Sequence, residues 1–167
     1  MKWILQYVVV AVAALVLQAT LGQLISLDGV KPDFLLIWVV FVALRRGHMS
    51  AIIAGSGAGL AADLLSGEFI GIGLLAKATA GFLAGFLYRQ NQIAQSLGSW
   101  WFLGIVGLIS LIHNAIFFFF YLQGTLINFW SSFSFLGIGS TLYTSAFAIM
   151  PFAYYRNQYE EHGELPA

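Results

Sequence analysis

The sequence predicts an all-α integral membrane protein, a bundle of six transmembrane helices with almost nothing outside the bilayer. Three observations carry this. Of the 167 residues, 60% are hydrophobic and only 8% charged, whereas a soluble domain carries about a quarter charged residues. The apolar residues fall in long runs between short polar breaks, and a helix needs about 20 predominantly apolar residues to cross the bilayer core. The basic residues, finally, sort onto one side of such a bundle.

Taken in order, the runs place spans near residues 3–26, 33–46, 49–66, 72–89, 100–122 and 132–155, followed by a short cytoplasmic acidic tail, 156–167. The first continues well past the roughly 7–15 apolar residues of a signal peptide, so it reads as an uncleaved span. The second is the shortest, since its wholly apolar stretch, Phe34 to Leu44, covers only about 16 Å at 1.5 Å per residue. Arg45 and Arg46 can snorkel to make up the length. Pro32 and Asp33 suit the first turn of that helix, because proline gives up an N–H that is unpaired there anyway and the carboxylate faces the positive dipole end.

Six spans with the N-terminus inside put Lys2, Arg45, Arg46, Arg89 and Arg156 in the cytoplasm and only Lys31 outside. Cytoplasmic loops are enriched in Lys and Arg, so this distribution supports both the count and the orientation. Trp3, Tyr88, Trp100, Trp101, Tyr154 and Tyr155 then fall near the inner interface, and Tyr121 and Trp130 near the outer one. The remaining base, Lys77, falls within a span. The tail carboxylates Glu160, Glu161 and Glu164 read as a solvated end.

In the third span Ala51, Gly55, Gly59, Asp63 and Gly67 recur every four residues, and in the fourth Gly73, Lys77, Gly81 and Gly85 do the same. Residues four apart share a helix face, so each helix carries a stripe of small residues with one charge set into it. Folded as a hairpin about residue 70, Gly55 faces Gly85, Gly59 faces Gly81, and Asp63 faces Lys77. Small residues let helix backbones approach closely in lipid. An isolated Asp or Lys in the membrane costs about 2.5–3.5 kcal/mol on insertion scales. The pattern therefore predicts a tight hairpin with an Asp63–Lys77 ion pair in the outer half of the bilayer, either structural or serving partner docking or transport.

His113 and Asn114 lie about 20 Å into the fifth span, and Gln18 lies at a similar depth in the first. With Asp63, Lys77 and Ser134 this outer-half polar cluster either lines an outward-facing cavity or bonds helix to helix. No catalytic constellation is present. Gly55-Ser56-Gly57 is too short for a nucleophile elbow, and Gly55-x-Gly57-x-Gly59 lacks the strand that a dinucleotide loop requires. The three histidines lie apart, without metal-ligand spacing, and no cofactor is implied. Phe117 to Tyr121 reads as lipid-facing or interhelical bulk. With zero net charge and no basic run, nucleic-acid binding is set aside, and the absence of cysteine excludes disulfide and thiol chemistry.

Lys31-Pro32-Asp33 opening a span that ends Leu44-Arg45-Arg46-Gly47, then Asp63-Leu64-Leu65-Ser66-Gly67 and Gly71-Ile72-Gly73-Leu74-Leu75-Ala76-Lys77, resembles the bacterial rod-shape-determining MreD family. The resemblance is concentrated in residues 31–85. The family often carries a glutamine before the aspartate, where this chain has Ala62, and from Gln90 onward little is shared. The resemblance implies a non-enzymatic inner-membrane component of the cell-elongation machinery, beside MreC, the MreB filament, RodA and a penicillin-binding protein. It also implies a fold similar to the substrate-binding subunits of energy-coupling-factor vitamin transporters. Two functions follow: a membrane scaffold binding an MreC-like partner, or a small-molecule carrier with a vitamin-sized pocket among the outer-half polar groups.

Overall fold

The computed structural model describes residues 2–67, 69–89 and 93–162. The Trp3 ring and the tail carboxylates of Glu160, Glu161 and Glu164 lie outside the described residues. In chain order the elements are α1 (Lys2–Leu24), α2 (Phe34–Arg46), α3 (His48–Ser66), α4 (Ile72–Gly85), α5 (Ile93–Leu97), α6 (Trp100–Tyr121), α7 (Phe129–Ser132), a π-helical turn (Phe133–Gly137), α8 (Ile138–Phe147) and α9 (Ile149–His162). The described residues form no strand.

Among the described residues, four helical stretches are long and apolar enough to cross a membrane: Leu5–Leu24, His48–Ser66, Trp100–Tyr121 and Phe129–Asn157. The last is the run from α7 to α9. Its path widens into the π turn and breaks again at Ala148, three residues before Pro151. Proline has no N–H to donate and its ring crowds the carbonyl four residues back, here that of Phe147, where α8 ends. Ile72–Gly85 is apolar but shorter, and it stops four residues before the expected end of the fourth span.

The short helix α2 is the centre of the molecule. Leu36, Val39, Val40 and Ala43 are fully buried, and Leu35 and Leu44 nearly so. One side packs with Ala80 and Ala84 of α4, Phe102 and Ile109 of α6 and Phe152 of α9. The other packs with Ala14 of α1 and Ala58 of α3. A helix apolar all round belongs in an interior, and α2 meets protein on every side. Helix α1 is the opposite case: Val8, Val9, Val12, Val16 and Leu21 stand exposed, a surface that suits hydrocarbon and not water.

The contacts of Arg46 with Tyr7, Phe41 with Tyr155 and Gly85 with His48 gather the start of α1, the ends of α2 and α4 and the middle of α9 at one end of the bundle. Arg45, Arg46, Arg89 and Arg156 belong to that end. Lys31 belongs to the other.

Candidate functional site

The segment between α1 and α2 creates the polar centre. Helix α1 ends at Leu24, yet Gln18, nearly two turns earlier, bonds Pro32 and Phe34. The chain therefore turns back into the bundle before α2 begins. Asp28-Gly29 makes the reversal with φ of 50° and 86°, positive at both central residues as a type I′ turn requires. Leu27 and Val30 exchange both backbone bonds around it, at 3.1 and 2.9 Å. The descending residues account for the brevity of α2, because part of the depth that a longer helix covers is crossed by irregular chain.

Irregular backbone at membrane depth is tolerated only where protein satisfies its polar groups. Beyond the backbone bonds of the turn, side chains supply partners. Tyr143 Oη donates to Ile25 O at 3.0 Å, and the Lys31 N–H reaches Ser140 Oγ at 3.4 Å. The Asp33 N–H donates to Thr144 Oγ1 at 3.0 Å. Gln18 serves twice: Nε2 donates to Pro32 O at 3.0 Å, and Oε1 accepts from the Phe34 N–H at 2.8 Å. Gln18→Leu removes both bonds and leaves a donor and an acceptor unpaired, each costing about 1–3 kcal/mol. The expected loss of at least about 2 kcal/mol is read by denaturant unfolding in mild detergent. Gln123→Leu, which removes an exposed bond to Phe119 O, should stay within about 0.5 kcal/mol.

Asp33 stands where this segment enters α2. Its Oδ1 accepts from the Leu36 N–H at 2.8 Å, capping the helix. Its Oδ2 accepts from Lys77 Nζ of α4 at 2.6 Å and lies 3.4 Å from His113 Nε2 of α6. One carboxylate thus joins α2, α4 and α6, and its backbone N–H ties in α8. Lys77 is 7% and His113 3% exposed, so both sit where an uncompensated charge is costly.

The expected Asp63–Lys77 pair does not form. Asp63 Oδ2 instead accepts from the N–H groups of Gly71 at 2.8 Å and Leu74 at 3.2 Å. Helix α4 starts at a glycine with no side-chain cap of its own, and Asp63 brings the carboxylate to that positive dipole end from the neighbouring helix. The register differs accordingly. A Cβ at Gly55 would strike the Lys77 backbone, one at Gly59 the Gly73 backbone, one at Gly81 the Ala51 carbonyl, and one at Gly85 His48. Gly55 therefore does not face Gly85, nor Gly59 Gly81; α4 is slid two turns along α3 from the symmetrical arrangement. Gly67 and Gly71, with φ of 66° and 106°, turn the connection back on itself.

Of the residues expected in the outer half, Gln18 and His113 join the Asp33 centre. Asn114 forms an adjoining knot, its Nδ2 donating to Gly137 O and Thr141 Oγ1, both at 3.1 Å. Thr141 Oγ1 donates to the same carbonyl at 2.8 Å, beside the π turn where the regular ladder is disturbed. Ser134 takes no part; it donates to Trp130 O on the exposed side. Asp33, Ser140 and Thr144 were not legible as members of the centre. A clue was present in the Lys-Pro-Asp sequence opening a helix too short to cross alone.

Compared with known proteins, the sequence profile of the family described as rod shape-determining protein MreD matches residues 1–156. No curated protein matches the chain, and no solved structure does.

Proposed function

The chain belongs to the MreD family of rod shape-determining proteins, and from that premise we propose that it is a non-enzymatic scaffold of the cell-elongation machinery that binds the membrane helix of an MreC-like partner. On this reading it lies in the bacterial inner membrane with six spans and both termini cytoplasmic. The short buried α2, entered by the re-entrant segment, and the apolar α4 are the two spans added to the four long ones. RodA, a penicillin-binding protein and the MreB filament are the further partners of the same assembly, and a fold like that of vitamin-transporter binding subunits belongs to the same proposal.

One observation carries the choice of scaffold over carrier: most of the polar groups that a substrate pocket needs are taken up by hydrogen bonds within the protein. Gln18 accepts from the Phe34 N–H, Asp33 bonds Thr144 and Lys77, and Asn114 donates to the Gly137 carbonyl, whereas a binding site presents a few convergent polar groups to its ligand. The paired groups tie the bundle into a stiff body. The glycine stripes also face inward, between α3 and α4, so on this reading the partner helix docks on another face of the bundle.

Affinity purification of the full chain from native membranes tests this. MreC-like and wall-synthesis proteins are the expected companions. Recovery with an ATPase module and a bound small molecule would overturn the scaffold reading.

A further inference from the structure

At the head of α2 one carboxylate oxygen is shared by two nitrogen groups. Asp33 Oδ2 receives Lys77 Nζ at 2.6 Å and has His113 Nε2 at 3.4 Å. Beside a carboxylate that ring nitrogen carries the hydrogen, which leaves Nδ1 as the bare acceptor of a neutral imidazole. His113 is 3% exposed, and its Nδ1 is buried with no hydrogen-bond partner. We propose that His113 is an acid-sensitive latch on the re-entrant segment: neutral in the closed bundle, it takes up a proton when residues 25–33 come away from the helices, so that acid holds the segment open.

In the closed bundle a proton added at Nδ1 meets no acceptor, and it makes the ring a second cation. Lys77 and His113 reach for the same oxygen, which puts them no more than about 6 Å apart, close enough for like charges to disfavour each other. One carboxylate cannot neutralise both, and burial makes the excess charge costly. Among the described residues no second carboxylate relieves it. Asp63 is committed to the N–H groups of Gly71 and Leu74, and Asp28 is exposed in the turn. Helix α8 brings Thr141, Thr144 and Tyr143, whose hydroxyl is held by Ile25 O. On α6 itself Phe117 lies against His113, with Tyr121 stacked beyond it. Tyr154, Tyr155 and Arg156 of α9 lie at the end of the bundle that carries Arg45 and Arg46.

The segment is the part suited to give way. Its backbone groups are held by single bonds from Tyr143, Ser140, Thr144 and Gln18 and by one two-residue turn, where a helix would hold them by a continuous ladder. Asp33 ends the segment, and its side chain is already 17% exposed. Withdrawing the carboxylate from Lys77 and His113 therefore moves the segment with it and brings water to the ring.

Amide exchange at Lys31, Asp33 and Phe34, corrected for the intrinsic pH dependence of exchange, measures this opening in the full chain in lipid nanodiscs. The closed form holds no proton at Nδ1, and the open form gains one as pH falls below the ordinary imidazole value of about 6.5, so the opening equilibrium should rise about tenfold between pH 7.5 and 5.5. The closed segment is thus at its most stable above that value and loses stability below it. His113→Gln offers an amide N–H in place of Nε2–H and does not titrate, so it should flatten the profile. His48→Gln, at the other end of the bundle, should keep the tenfold rise. Nitrogen-15 spectra of histidine-labelled protein at neutral pH should show His113 uncharged with its hydrogen on Nε2. A flat wild-type profile, a rise retained in His113→Gln, or an imidazolium at His113 at neutral pH would each overturn the proposal. If His113→Gln does not fold, the wild-type profile and the nitrogen spectrum still decide it.

Discussion

Asp33→Asn is expected to destabilise the bundle by about 3 kcal/mol, the cost of breaking a buried ion pair by removing one partner. The amide still offers an oxygen to the Leu36 N–H, so the loss is not that of the helix cap. It arises at Oδ2, where Lys77 Nζ at 2.6 Å loses the negative charge that justifies its burial. Lys77→Met should cost less, because His113 Nε2 stands 3.4 Å from the same oxygen and remains beside it as a hydrogen-bond partner. Removing both charges, with Asp33→Asn and Lys77→Met together, should recover part of the Asp33→Asn loss, since apolar replacement of a whole pair is often neutral. Denaturant unfolding in lipid nanodiscs gives all three values, and an Asp33→Asn protein as stable as the wild type would remove the centre from the account.

The second large effect is expected at the α3–α4 contact. Gly55→Ala places a methyl against the backbone of Lys77 and Ala78, which cannot swing aside as a flexible side chain does. Overpacking of this kind costs about 1–3 kcal/mol, and Gly59→Ala, directed at the backbone of Gly73 and Leu74, should cost as much. Gly57→Ala is the matched control, two residues away in the same helix with nothing within 4 Å of the added carbon. It should be neutral or slightly stabilising, since alanine is the better helix former by up to about 1 kcal/mol. The difference in unfolding free energy between Gly55→Ala and Gly57→Ala isolates packing from propensity. No difference would mean the two helices are not in contact along this stripe.

The glycine repeat shows what a sequence can and cannot specify. Ala51, Gly55 and Gly59 on one helix and Gly73, Gly81 and Gly85 on the other announced close packing, and close packing is present. A repeat of four cannot fix its own register, however, because sliding one helix by whole turns preserves the small-residue face. The choice falls to the connection, where Gly67 and Gly71 turn back and Asp63 finds the N-terminus of α4. Lys77 is thereby carried to Asp33, 44 residues away in sequence. That the Asp33 carboxylate serves the positive end of α2 was legible, since the dipole acts locally, although Asp33 caps the helix from just outside it and not from its first turn. Its role as counter-ion was not, since it depends on the re-entrant path of the segment before α2 and on which helices surround it. Gln18, His113 and Asn114 were recognisable by depth alone, but their partners Pro32, Asp33 and Gly137 follow from the tertiary arrangement.

The ion pair at the head of α2 is tested most directly by two double-mutant cycles in one bilayer, Asp33 with Lys77 and Asp63 with Lys77. The first should give a coupling of about 1.5 kcal/mol or more, as residues sharing one network do, and the second a coupling within about 0.5 kcal/mol of zero. A strong Asp63–Lys77 coupling with none between Asp33 and Lys77 would contradict the account and restore the symmetrical hairpin.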